Sequence, residues 1–306
     1  MIELQLPSPI QQPKSDTDTV QLQLKREDLI HPAFGGNKWR KLKYNLQKFN
    51  IGSYSHLVTF GGAFSNHIAA TAAVGAYFSI PTIGIIRGSY VDENNVTLGK
   101  AKAQGMRLFP ISREAYKMKE QSPEFQRIIK GYSRPLVVPE GGSNQHGFKG
   151  CQEIMQEVQQ QQEQPYDYVV VPAGTGMTAS GVISTSLKEN ILVVNVLKNA
   201  GLEATIRAEL GKEQNNWSVL SDYHFGGYAK VKPELIDFIN AYYKEHRIAL
   251  DPIYNGKALY AVYDLIEKNH FPVGSRILYL LTGGQQGIAA YNSRCKNEVL
   301  QVICGI

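Results

Sequence analysis

The sequence predicts an α/β protein built on two open, twisted, mainly parallel sheets with helices on both faces. Three observations predict it. Short β-branched runs alternate with helix-period segments over most of the 306 residues, the pattern of parallel strands joined by helical crossovers. Several of these runs stop at a glycine pair, as at Gly61-Gly62 and Gly283-Gly284. The length also exceeds what one hydrophobic core usually serves, so two domains are expected.

Taken in order, a helix starts near Lys38, where Gly35-Gly36 turns the chain and Trp39 and Leu42 fall on one inward face. Residues 56–60 form the next strand, β-branched and stopped by glycine, and residues 65–77 an alanine-rich helix. Strand 81–86, helix 98–105 with its terminal glycine, strand 106–110, helix 122–130 and strand 135–139 complete a first series. A second series follows Gly141-Gly142. It comprises helix 147–162, strand 168–172, helix 178–188, strand 191–196, helices 233–246 and 257–268, and strand 276–281. The run Gln159-Gln160-Gln161-Gln162 reads as a solvated helix end. There is no internal repeat and no composition-marked linker, so the two domains are expected to interleave.

Composition excludes several function classes. With 43% hydrophobic and 19% charged residues the balance is that of an ordinary soluble chain. A net charge of +5, from 32 basic against 27 acidic residues, does not call for nucleic acid or an anionic membrane surface. The densest basic stretch, Lys38 to Lys43, is interrupted by Trp39 and Leu42 and reads as one face of a helix. No apolar run reaches bilayer length, and the first 18 residues lack the pattern of a secretory leader. Cys151, Cys295 and Cys304 are odd in number and unpaired in spacing, which fits a reducing cytoplasm. The seven histidines show no metal-ligand spacing, so no metal site is expected.

Four strand-to-loop junctions stand at the carboxyl ends of strands, where ligands of open α/β sheets bind. Gly61-Gly62-Ala63-Phe64-Ser65-Asn66-His67 leads into a helix N-terminus suited to a carboxylate or phosphate, although a plain Ser65 or Asn66 cap explains it as well. Ala173-Gly174-Thr175-Gly176-Met177-Thr178-Ala179 suits a phosphate group. The same string matches a dinucleotide fingerprint and raises a nucleotide-dependent oxidoreductase as a rival. That reading expects an acid at the end of the next strand, where Leu197-Lys198-Asn199 stands instead. Asp251-Pro252-Ile253-Tyr254-Asn255-Gly256-Lys257 sets a tyrosine and an asparagine in a turn between helices, and Leu281-Thr282-Gly283-Gly284-Gln285 ends a strand beside a hydroxyl. Lys38, at a helix start, is placed where burial would turn a lysine into a nucleophilic amine.

In their joint order these motifs resemble the fold type II (tryptophan synthase β-like) pyridoxal-phosphate enzymes, and within them the 1-aminocyclopropane-1-carboxylate deaminase/D-cysteine desulfhydrase family. The stretches that carry the resemblance span nearly the whole chain. They are Lys25-Arg26-Glu27-Asp28, residues 36–42, Gly61-Gly62 with Ser65-Asn66-His67, Pro139-Glu140-Gly141-Gly142-Ser143-Asn144, the loop 174–178, the turn 251–257 and Thr282-Gly283-Gly284. The resemblance implies pyridoxal 5'-phosphate as cofactor, held through Lys38, which also shuttles a proton. It implies Asn66 at the ring oxygen and the backbone of Gly174, Thr175, Gly176 and Met177, with the Thr178 hydroxyl, around the phosphate. Asn255 and Thr282 are expected on the side of the ring nitrogen. Ser65, with Asn66 and His67, is expected to receive the carboxylate of a small amino-acid substrate and, as a catalytic residue, to assist proton transfer, with the catalytic Tyr254 and Tyr228 on the other side of the substrate. Arg40, Lys41 and Lys43 are left as helix-surface charge. The resemblance further implies a homodimer. The chain is expected to divide into a large cofactor domain, residues 1–44 with 146–306, and a small domain, residues 45–145, inserted into it.

Within that family the ring-opening deaminases carry Glu after the motif tyrosine and Leu before the late glycine pair. The present chain has Asn255 and Thr282 there. Thr282 matches the desulfhydrase-like members and Asn255 matches neither. The expected reaction is therefore β-elimination from D-cysteine or a similar amino acid, giving pyruvate, ammonia and sulfide. Opening of the cyclopropane ring to 2-oxobutanoate and ammonia is the alternative, and a cofactor-binding protein without turnover would require a missing catalytic group.

Overall fold

The computed structural model describes residues 3–14, 19–186, 188–211 and 213–303. The chain first lays down β1 (Ile10–Gln11) and β2 (Gln21–Arg26), then β3 (Leu57–Gly61), β4 (Thr82–Arg87), β5 (Arg107–Ile111) and β6 (Leu136–Val138). It continues through β7 (Tyr168–Ala173), β8 (Asn190–Asn195), β9 (Trp217–Leu220) and β10 (Arg276–Leu281). Strands β3 to β6 form a four-stranded parallel sheet in the order β5-β4-β3-β6. The others form a six-stranded sheet, β1-β2-β10-β7-β8-β9, antiparallel only between β1 and β2.

The helices are α1 (Asn37–Ile51), α2 (Asn66–Phe78), α3 (Val96–Ala103), α4 (Arg113–Met118), α5 (Pro123–Ile129) and α6 (Gln145–Gln161). They continue as α7 (Met177–Thr185), α8 (Leu202–Leu210), α9 (Pro233–His246), α10 (Asn255–Glu267) and α11 (Gln286–Asn292). The period-2 pattern of the strands distributes them over both faces. On β7, Val169 and Val171 face the core made with α6, α7 and α8, while Val170 joins the core under α9 and α10. The smaller sheet repeats the arrangement. Leu57 and Val138 pack against α1 and α2, whereas Val58, Phe60 and Ile85 pack with Tyr116 of α4 and Phe125 of α5. Among the described residues no helix is long and apolar enough to cross a membrane. Among them there is also no group of three or more His, Cys, Asp or Glu side chains arranged to hold a metal ion. Cys151 and Cys295 are free thiols, and Cys304 lies outside the described residues.

Every strand and helix read from the sequence is present, displaced by no more than a few residues at its ends. Strands β1, β2 and β9 and helices α4, α8 and α11 had no counterpart in that reading. The division expected at residues 44/45 falls inside α1, and the one at 145/146 falls at the start of α6, which Asn144 caps by accepting from the Gly147 amide at 2.8 Å.

The basic stretch on α1 is not surface charge, and this corrects the sequence reading. Arg40 is fully buried and Lys41 nearly so. Arg40 meets Glu27 through two hydrogen bonds of 2.8 Å and reaches Glu157 of α6 at 2.7 Å. Glu157 in turn accepts from buried Lys25 of β2 at 3.1 Å, and only Lys43, half-buried against Glu153, stands near solvent. The α1–α6 crossing is tight because Gly150 lies under the Arg40 carbonyl, where a Cβ would come within 1.8 Å of the oxygen. A cation at Arg40 thus joins β2, α1 and α6, and fixes the helix that presents Lys38.

Candidate active site

The carboxyl ends of β3, β7 and β10 converge on one cavity of about 520 Å³ lying between the two sheets. That is an ordinary size for a small-ligand site. Lys38, from the first turn of α1, forms part of its wall together with residues of all four sequence-predicted junctions. The start of α1 is docked on the end of β10, where the Asn37 amide donates to the Thr282 carbonyl at 3.0 Å. Gly36 makes this approach at φ +81°, and a Cβ there would sit 2.2 Å from the Thr282 oxygen. Only glycine fits.

Lys38 has no hydrogen bond or ion pair to a described residue. Burial, and then the neighbouring Lys41 cation, pull its ammonium down to about 7. A sizeable fraction is a free amine at neutral pH, which makes it a nucleophile. Lys41 stands one turn on, lines the same cavity, has no hydrogen-bonding partner among the described residues, and is likewise pulled down by burial. His67 is 2% exposed, and neither ring nitrogen has a hydrogen-bond partner. Burial, then the Lys38 and Lys41 cations, push its imidazole well below the usual range, so it is neutral.

Two helix N-termini open into the cavity. At α2 the Ser65 hydroxyl caps the helix, accepting from the His67 and Ile68 amides at 3.2 and 3.3 Å, so its own hydrogen is free to donate. At α7 no side chain caps the first turn, and Gly176, at φ +91°, turns the backbone into it. A Cβ at Gly174 would press on Leu197 at 2.9 Å and Tyr254 at 3.1 Å, so the loop forms a concave backbone cradle. Thr178 completes it, its oxygen accepting from Asn37 Nδ2 at 3.0 Å. Met177 is buried in the core and does not line the cavity.

Asn66 lines the cavity beside Gly284, Tyr254 lines it beside Gly174, and Tyr228 is a further lining residue. Burial, with Tyr228 and Asp251 acting in the same sense, raises the Tyr254 phenol far above its ordinary range and keeps it protonated. Asp251 shapes the turn. Its carboxylate accepts from the amides of Ile253, Tyr254 and Asn255 at 2.8–3.0 Å and from Asn255 Nδ2 at 2.7 Å. Asn255 differs from the sequence reading, because it lies one layer behind the wall. Its amide nitrogen donates to Asp251 and the Gly283 carbonyl, and its oxygen accepts from the Thr282 amide and hydroxyl and the Tyr279 hydroxyl. No hydrogen-bonding capacity is left for a ligand, and the residue of this pair that lines the cavity is Thr282. Sequence reasoning missed Lys41, Arg87 and Leu197 as lining residues. Lys41 alone carried a signal, three residues after Lys38 on one helix face.

This constellation fits pyridoxal phosphate on chemical grounds. An uncapped helix N-terminus with a glycine cradle and an unpaired lysine suits a phosphate, and a second, near-neutral lysine suits an aldehyde. A two-sheet α/β protein with that donor set is of the fold type II class. The family model for pyridoxal-phosphate-dependent enzymes matches residues 4–283. The chain belongs to that family, within its 1-aminocyclopropane-1-carboxylate deaminase/D-cysteine desulfhydrase group. It is 30% identical over 308 aligned positions to a 1-aminocyclopropane-1-carboxylate deaminase from Mesorhizobium japonicum, covering 91% of each chain. A protein of the same name from Pseudomonas syringae pv. syringae is 28% identical, with 89% of each chain covered. The solved structure of an ACC deaminase homologue superposes with a TM-score of 0.78 at 27% identity, covering 93% of this chain and 91% of that one. Maize serine racemase shares the fold, with a TM-score of 0.65 at 17% identity over 91% of this chain and 88% of that one. The protein is a pyridoxal-phosphate-dependent enzyme.

Proposed function

We propose that the enzyme is a lyase that removes a β-substituent from a small amino acid, with D-cysteine the favoured substrate. D-cysteine and water would give pyruvate, ammonia and hydrogen sulfide. When bound, the cofactor supplies a carbonyl that captures an amine and a ring that takes up the negative charge left at the substrate's α-carbon. The chain's own groups divide the remaining work. Lys38 is the amine that holds the cofactor, and its Nζ, free to gain or lose a proton near neutrality, serves the α-carbon once the substrate amine has taken its place. The α7 N-terminus, Thr178 and Lys41 hold the phosphate, and Asn66 the ring oxygen. Ser65 Oγ, with its free hydrogen, and the His67 side of the α2 N-terminus receive the substrate carboxylate. Tyr254 Oη, held protonated, is the donor placed for the departing sulfur, and Tyr228 closes the same side.

The observation that carries the choice of β-elimination is the wall beside Thr282. Thr282 lines the cavity there with its hydroxyl donated to the Asn255 amide oxygen, and both side chains are uncharged. A neutral partner leaves the ring nitrogen a weaker electron sink, which suits loss of a good leaving group. A second reading, cyclopropane ring opening, is favoured by the names of the relatives. The same proposal takes residues 45–145, with the four-stranded sheet, as the small domain and the remainder as the large one. It also includes a homodimer in the cytoplasm.

The test is a visible spectrum of the purified protein before and after borohydride, beside Lys38→Ala. A band that borohydride bleaches, absent from Lys38→Ala, is expected. Without such a band in the unaltered protein both readings fail. Sulfide release from D-cysteine is then compared with 2-oxobutanoate formation from the cyclopropane amino acid, and predominance of the second product replaces the first reading with the second.

A further inference from the structure

We propose that Lys257 is a positioning residue whose ammonium, seated among three backbone carbonyls, docks the loop that carries Tyr228 against the cavity. This rests on the reading of that cavity as the site of cofactor and substrate. Lys257 is fully buried and does not line the cavity. Its Nζ donates to the carbonyls of His224 and Gly227, each at 2.8 Å, and of Val196 at 3.2 Å. Three ammonium hydrogens meet three acceptors, so the group is satisfied. A core-filling role would be served better by an apolar side chain, since burying a cation without an adjacent carboxylate is costly. The nearest carboxylate with an influence on it, Asp251, is already engaged by four N–H donors.

The loop itself shows what the cation does. Residues 221–232 connect β9 to α9 without regular structure, longer than most connections in such folds. Phe225, Gly226, Gly227 and Ala229 all adopt positive φ, at 54°, 98°, 111° and 54°. Two of these are not glycine, and such backbone persists only where its surroundings over-determine it. Phe225 packs edge-on against Tyr260, and the Gly226 amide donates to His224 Nδ1 at 2.8 Å. Tyr228 itself is 49% exposed at the cavity, with no hydrogen bond to a described residue. Lys257 gathers the His224 carbonyl, two residues before the glycine pair, and that of Gly227, its second member. The third, Val196, precedes Leu197, another lining residue, so one ammonium ties the connection after β8 to the one after β9. Lys257 also lies on the first turn of α10, three residues after Tyr254, so the turn that sets one tyrosine anchors the loop of the other.

The experiment uses the cofactor-loaded protein and Lys257→Met, with trypsin cleavage after the exposed Lys230 as the direct reading of the loop. Cleavage there is expected to accelerate about tenfold relative to the other sites, while the visible cofactor band is kept. In kinetics, Lys257→Met should lower kcat/KM about tenfold in the native background and less than about twofold in Tyr228→Phe, because both changes act through one hydroxyl. If Lys257→Met does not fold, Lys257→Gln, which keeps an amide donor, is read by the same assays. Unchanged cleavage at Lys230 in a folded variant, or additive kinetic effects, would overturn the proposal. Loss of the cofactor band from the unaltered protein would instead overturn the functional reading, and the proteolysis result would still decide what Lys257 does.

Discussion

Buried cations of two kinds occur in the molecule, and the difference between them marks the site. Arg40, Lys25 and Lys257 each have a complete set of protein acceptors: carboxylates for the first, a carboxylate, an amide oxygen and a carbonyl for the second, carbonyls for the third. Lys38 and Lys41 have none among the described residues, and both border the cavity. Leaving two amines underpaired in a low-dielectric wall lowers the affinity of each for its proton. That arrangement is tolerable only if a ligand brings the missing partners, an anion for one and a carbonyl for the other. Cations already matched by the protein hold the fold, and those left unmatched await chemistry.

The largest effect should come from breaking a matched cation. Arg40→Met leaves Glu27 buried without its partner and Glu157 with Lys25 alone, so a loss of about 3–5 kcal/mol is expected. Urea unfolding of the apo-protein measures it, and a midpoint within error of the unaltered chain would erase the distinction drawn above. The double change Arg40→Met with Glu27→Gln should recover part of the loss, because it removes the orphaned charge as well.

That pairing also shows what a sequence reveals and what it hides. The strands β3, β4, β7, β8 and β10 were legible because strands buried on both faces read as continuous apolar runs stopped by glycine or a polar turn. Strand β2, with its alternating Gln-Leu-Gln-Leu, and the polar-flanked β9 offer no such run. The cradle at Gly174–Thr178 and the reactive Lys38 were legible because their chemistry lies in local spacing. Arg40 was misread because its partners, Glu27 and Glu157, stand 13 and 117 residues away. Nothing local distinguishes a solvated arginine from one whose acids arrive through the fold. Asn255 was assigned to the wall for the same reason, since sequence gives the order of residues along a turn but not the layer each occupies.

A smaller effect should follow from altering an unmatched cation. Lys41→Met removes a charge without orphaning a protein carboxylate, so the apo-protein should lose little stability. Its affinity for pyridoxal phosphate should fall about 10- to 100-fold, the worth of a charge-assisted hydrogen bond to the phosphate. Fluorescence titration of the apo-protein with the cofactor reads this directly. Pyridoxal without its phosphate should bind both forms alike, and a cofactor affinity unchanged by Lys41→Met would return Lys41 to a structural role.

The smallest effect concerns pH, and its sign follows from burial. The Lys38 ammonium loses its proton near pH 7 in the folded protein instead of near 10.5. The free amine, the only form that captures an aldehyde, therefore becomes available as pH rises through about 7. The rate at which apo-protein takes up the cofactor covalently should rise about threefold between pH 6.5 and 7.5 and level off above pH 8. An ordinary lysine would still be gaining tenfold per pH unit there. The same depression makes the unfolded chain bind more protons than the native one from about pH 7 upward, so the contribution of Lys38 to apo-protein stability grows with pH over that window. In Lys41→Met, where one neighbouring cation is gone, the midpoint of cofactor capture should move upward. A midpoint that stays in place would mean that burial alone sets the Lys38 amine and that the two unmatched cations do not act on each other.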